Sequence, residues 1–161
     1  MKKKKSKTLR DLDKLIGLKK RLIQETSNFK PLGHPIYHKK TMTIPIFFGD
    51  IIFIVAEDLS MINNDYPKIR SVGKGYAAFS TWWFTKNGYR KQLIGLDVNK
   101  LHASIISHEC THVAMRVFEQ IGQPIPDADN DETFAYLQSW IVGQCYRFLK
   151  KKGLKSKIKL R

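Results

Sequence analysis

Apolar residues recur along this chain with two different periods, and the changes of period divide it into elements. From Thr8 to Thr26, Leu9, Leu12, Ile16 and Ile23 recur at helical spacing with Leu15 and Leu22 beside them, which predicts an N-terminal amphipathic helix. Asn28 to Lys40 contains Pro31, Gly33 and Pro35 and reads as a linker. Pro35 stands between His34 and His38, so these are expected as loop histidines. Thr43 to Phe48 and Ile51 to Ala56 are β-rich runs split by Gly49-Asp50. Pro45 puts the first at a sheet edge or before the sheet. Ile51 to Val55 is almost continuously apolar, as expected of a strand buried on both faces. Glu57 to Asn64 predicts a short helix, ended by a turn over Asn63 to Pro67. Gly75 to Phe84 and Tyr89 to Val98 flank Lys86-Asn87-Gly88, which predicts a hairpin with a type I′ turn. Trp82 and Trp83 are adjacent and therefore face opposite sides of that strand, one towards the core and one towards solvent or a groove.

The period becomes helical at Leu101. Ile106, Cys110, Val113, Val117 and Ile121 form one apolar stripe that ends at Gly122. Gln123-Pro124-Ile125-Pro126-Asp127 stops that helix. A second helix is expected from about Asn130 to Lys150, with Phe134, Leu137, Ile141, Cys145 and Phe148 as its stripe. Ala135, Ser139 and Gly143 form a row of small residues on it, which lets another helix come close. These elements predict an α+β domain with three or four strands, mostly antiparallel or mixed, packed on two helices. A length of 161 residues fits one domain, and an apolar content of 42% supports a modest core. The expected organisation is a basic N-terminal helix and linker over 1–40, the domain over 41–150 and a basic tail over 151–161. Cys110 and Cys145 sit at inward positions and read as small buried hydrophobes in a reduced, cytoplasmic compartment. No run approaches a membrane span, and the Lys-rich start lacks the apolar core of a signal peptide.

The first helix carries chemistry. Ser107-His108-Glu109-Cys110-Thr111-His112 contains His-Glu-x-x-His. Positions i and i+4 share a helix face, so two imidazoles there can hold one ion with Glu109 beside them as general base. With 5 His and 5 Glu in the chain, about 0.005 chance occurrences are expected, so a surface helix with two fortuitous histidines is the weaker reading. Cys110 lies about 200° round the helix from His108 and is a poor candidate for the same ion. Asp127, Asp129 and Asp131 open like a calcium loop, but Glu132 stands where that loop requires Gly, which excludes calcium.

Twenty residues after His112 comes Glu132, within Asn130-Asp131-Glu132-Thr133-Phe134-Ala135-Tyr136. With this second motif the chain resembles the gluzincin metallopeptidases, and also the small zincin-like proteins encoded by phages and mobile elements. The resemblance covers about residues 43 to 148 and is specific in the last third. It implies a zincin-like fold, Zn²⁺ held by His108, His112 and Glu132, Glu109 as catalytic base, a peptide or protein substrate, and a bacterial cytoplasm. Glu132 also completes a capping-box pattern with Asp129, which explains it without a metal. In the larger gluzincins an Asp one turn after the third ligand supports a metal-binding His. Tyr136 occupies that position here, so the surroundings depart from the pattern. Tyr136, and less so His102, are the candidate oxyanion donors.

Charge adds a second theme. The chain carries a net charge of +15, with 13 Lys/Arg against 3 acids in residues 1–40, 8 against none in 146–161, and 8 against 11 between. A mildly acidic body thus has two basic ends. Solvation alone accounts for them, and so does an anionic partner such as nucleic acid, a ribosome or a membrane surface. An alternative to the peptidase is therefore a non-hydrolytic zinc module that binds nucleic acid or a host protein through its basic ends, and removing those ends is expected to leave metal binding intact. The complete Glu109 favours the enzyme.

Overall fold

The apolar run at Ile51 to Val55 lies at the centre of the sheet. The computed structural model describes residues 35–45, 49–124, 126–127 and 131–160. The expected helix at 8–26 lies outside them, as does Asp129 of the capping pattern. Four strands, β1 (Tyr37–Ile44), β2 (Gly49–Ala56), β3 (Ala78–Phe84) and β4 (Arg90–Asp97), form a mixed sheet in the order β1-β2-β4-β3. The β2–β4 pair is parallel, and both outer pairs are antiparallel. After the sheet come α2 (Ala103–Gln120) and α3 (Asp131–Lys151), while the β2–β3 connection holds a 3-10 turn at Leu59–Met61 and α1 (Ile62–Asp65). The domain is thus α+β, with three α-helices among the described residues.

Two layers cover the sheet. Ile51, Phe53 and Val55 project towards α2 and α3 and meet Ile106, Cys110, Val113, Ile141 and Phe148. Ile52, Ile54 and Ala56 project to the other face, where the 59–72 connection supplies Leu59, Ile62 and Val72. Both β-faces of β2 are therefore dry, as a central strand with a parallel neighbour requires. Close approach is sharpest at Gly95 of β4: a Cβ there would overlap the Phe79 ring and come 3.0 Å from Ile62 Cδ1.

Three local expectations change. The first strand begins at Tyr37, so His38 is a strand residue and the linker ends sooner. Its side chains alternate, with Met42 and Ile44 packing inward and Lys39, Thr41 and Thr43 facing out, and its lysines mask a strand in the sequence. The β3–β4 connection closes with Gly88 N–H donating to Thr85 O at 3.0 Å and Thr85 N–H to Tyr89 O at 2.8 Å, so Lys86-Asn87-Gly88 is a three-residue loop. Gly88, with φ +73°, takes the left-handed place after the turn, so Asn87-Gly88 is not the central pair of a type I′ turn. The segment after α3 is not a free tail. Leu154 is buried, Ile158 packs on the core, Lys159 N–H donates to Leu101 O at 3.0 Å, and Ala103 N–H donates to Lys159 O at 3.1 Å.

The close contact at Gly95 has a direct test. Gly95→Ala is expected to destabilise the domain by about 1–3 kcal/mol, the usual range for overpacking. Urea denaturation followed by tryptophan fluorescence measures it; an unchanged midpoint would show that Phe79 swings aside at no cost.

Candidate metal centre

α2 starts after His102, whose backbone is extended (φ −127°, ψ 143°). Each face of the helix then has its own neighbour. Ile106, Cys110, Val113 and Val117 are buried against the sheet. Ser107, Thr111 and Phe118 turn towards α3. Gln138 Nε2 donates to Ser107 Oγ and Thr111 Oγ1, both at 3.2 Å, and the Phe118 and Phe134 rings meet edge-on at 5.4 Å. Phe134 lies opposite Phe118, and Gln138 lies opposite Ser107 and Thr111, so the two helices run antiparallel. Cys110 and Cys145 are both free and buried, and their mutual hydrogen bond and burial raise the Cys145 thiol pKa well above its ordinary value.

The remaining face carries the histidines. His108 Nε2 and His112 Nε2 are 3.1 Å apart, with the rings at 87° and their centroids 4.6 Å apart. Tetrahedral zinc with Zn–N bonds of about 2.0–2.1 Å separates its ligating nitrogens by roughly 3.3 Å, so this pair fits two positions of such an ion. Both rings are exposed, whereas Glu109, one residue on, is only 8% exposed. A cleft of about 360 Å³ opens beside it, lined by Ala77 and Ala78 at the start of β3 and by Ser104, Ile105, His108 and Glu109 of α2. Glu109 therefore faces the edge strand, at the wall of the space that His108 also borders.

Two arginines fasten this seam. Arg116, two turns after Glu109, donates from Nη2 to Ser80 O of β3 at 3.3 Å. Burial lowers the Arg116 pKa, while the charges of Glu109 and Glu119 oppose that shift. Its Nη1 is buried and makes no hydrogen bond among the described residues. Arg90 of β4 is 4% exposed. It donates from Nη1 to Arg116 O and from Nη2 to Glu119 Oε2, both at 3.0 Å, and stacks 4.1 Å from the Trp82 ring centre. Sequence reasoning passed over Arg90, Arg116 and Gln138. Arg116 had a readable signal, seven residues from Glu109 on the same helix face; Arg90 and Gln138 depend on which elements meet.

Glu132 is the second residue of α3 and is exposed. It lies about 9 Å along the helix axis from Gln138, the residue level with Ser107 and Thr111. The structure thus brings His108, Glu109 and His112 together and leaves Glu132 nearer the level of Phe118. Among the described residues, no group of three or more His, Cys, Asp or Glu side chains is placed to hold a metal ion. Tyr136 is 74% exposed, and its hydroxyl makes no hydrogen bond among the described residues. His102 has a buried Nδ1 with no partner among them. No described helix is long and apolar enough to cross a membrane. Comparison of the chain with protein-family models, characterised proteins and solved structures finds no match.

The arginine seam is expected to be a stability element. Arg90→Ala removes the bonds to Arg116 O and Glu119 and uncovers Trp82, which should cost about 1.5–3 kcal/mol, the range for hydrogen bonds to a charged group. Thermal unfolding of the variant checks this, and a melting temperature equal to that of the parent would assign the bonds no net worth.

Proposed function

We propose that this chain is a zinc-dependent metallopeptidase of the zincin-like type. His108 and His112 hold the metal, Glu132 is the third protein donor, and Glu109 is the general base. The observation that carries this reading is the 3.1 Å separation of the two imidazole nitrogens beside a buried glutamate. For Glu132 to join them, the start of α3 has to shift along α2 by about 9 Å, towards the level of Ser107 and Thr111.

Zinc in this position supplies Lewis acidity that makes a water nucleophilic near neutral pH and polarises a carbonyl. The protein supplies the remainder. In this reading Glu109 accepts the proton of the attacking water on its carboxylate and returns it to the leaving amine. The edge strand supports a peptide as substrate. Asp97 N–H donates to Ala77 O at 2.9 Å, so in the antiparallel β3–β4 ladder the next residue, Ala78, turns its main-chain groups to the open edge. An extended peptide laid along that edge passes His108 and Glu109, which line the same cleft. Arg116, bonded to Ser80 O, holds the edge strand against the helix.

The test is metal stoichiometry together with peptide turnover. The wild-type protein is expected to retain about one zinc per chain after desalting. His112→Ala should lose it and Glu132→Ala should weaken it, while Glu109→Gln should keep the metal and lose hydrolysis by at least ~10²-fold. Wild-type protein that is folded and metal-free after loading would sink the centre. Bound zinc with no turnover of a peptide library would favour the non-hydrolytic module instead. Retained zinc affinity in Glu132→Ala would remove Glu132 from the ligand set.

A further inference from the structure

The face of the sheet opposite α2 and α3 holds a second cleft, of about 460 Å³, which the metallopeptidase reading does not use. Its floor is Ile52, Lys91 and Trp83 of the sheet, and one wall is the loop that follows α1, with Tyr66, Lys68 and Ile69. This volume falls in the range of small-ligand pockets and is large enough for a single nucleotide.

Its chemistry is aromatic and cationic. The Tyr66 and Trp83 rings meet at 5.3 Å with their planes at 53°, so they pack on each other and both remain partly accessible. Three ammonium groups surround them. Lys39 stands 5.2 Å from the Tyr66 ring centre. Lys68 is exposed and makes no ion pair among the described residues. Lys91 lies 3.6 Å from Asp50, an ion pair too long for a hydrogen bond, so its three donors are not committed there. The acids offer a ligand less. Asp65 already accepts from Tyr37 Oη at 2.8 Å and from Lys39 Nζ at 3.1 Å, which together lower its pKa. Asp50 accepts from Thr43 Oγ1 at 3.1 Å. The cleft therefore offers partly accessible aromatic surface edged by ammonium donors.

We propose that this cleft binds a nucleobase with its attached phosphate, the base stacked on Trp83 and the phosphate met by Lys68 and Lys91. A base has a π-face that an aromatic side chain can hold whatever its identity, and lysines meet the phosphate as point charges. An acidic peptide would satisfy the lysines and leave the ring surface unused. The site lies on the other face of the sheet from α2 and its histidine pair, and it does not rest on the metallopeptidase reading.

The experiment uses the full chain. Fluorescence anisotropy at moderate salt measures binding of a labelled single-stranded hexanucleotide, as RNA and as DNA, and of the matching duplex; calorimetry measures AMP. The strand is expected to bind saturably and more tightly than the duplex, whose bases are already stacked. Trp83→Leu is expected to weaken strand binding about tenfold, within the range for loss of one stacked base. Lys68→Glu, on an exposed loop, is expected to weaken it several-fold and to make the salt dependence shallower. AMP binding comparable to that of the strand, with the same loss in both variants, would identify a free nucleotide as the ligand. Tight strand binding with weak AMP binding would identify the polymer. If both variants keep their parental circular dichroism and bind the strand as the parent does, the basic ends alone hold nucleic acid and the proposal is overturned. Absence of saturable binding by the parent overturns it as well.

Discussion

Everything in this domain depends on keeping water from both sides of one strand. Ile51, Phe53 and Val55 face one layer of cover and Ile52 and Ile54 the other, and none is appreciably exposed. Each such side chain stabilises the fold by roughly 1.5–3 kcal/mol relative to exposure, so losing either cover would be costly. The helical pair is one cover. The short connection with its 3-10 turn and α1 is the other, and it is the thinner. This asymmetry also separates the two clefts. The one beside Glu109 opens where α2 meets the sheet edge. The aromatic one opens beyond the loop that follows α1, towards the end of the sheet where Asp50 pairs with Lys91.

The polar contacts at the helix–strand seam do a different job from the apolar core. Apolar burial sets how close α2 lies to the sheet but not its register along β3. Arg90 and Arg116 supply register, because their hydrogen bonds to Arg116 O, Glu119 and Ser80 O form only at one offset. Gln138 does the same between α2 and α3 by spanning Ser107 and Thr111. The residues around the histidine pair are thus positioned by three directional groups as well as by packing.

Much of this was legible in the sequence, for identifiable reasons. The helical stripe through Ile106, Cys110, Val113 and Val117 and the unbroken run at Ile51 to Val55 are strong periodic signals, and both elements formed close to where they were read. The i, i+4 spacing of His108 and His112 is local geometry, so their convergence could be read without knowledge of the fold. β1 was hidden because an edge strand needs only one apolar face and its other face carries Lys39 and threonines. The turn at Gly88 was misjudged because Asn-Gly serves more than one loop length, and the flanking pairing decides which. Arg90, Arg116 and Gln138 act between elements distant in the chain, where neither spacing nor composition indicates who meets whom. The place of Glu132 relative to the histidines is of the same kind, since it depends on how far α3 has advanced when it passes α2.

The return of the chain at Lys159 changes the meaning of the basic C-terminal stretch. By bridging to His102 and bonding to Leu101 and Ala103, it adds a short parallel contact at the point where α2 begins. The charged stretch is therefore also a structural one, because the main chain of Lys159 is bonded at the entrance of the histidine-bearing helix. A protease that trimmed the chain beyond Leu154 would remove these main-chain bonds together with the charge of this end.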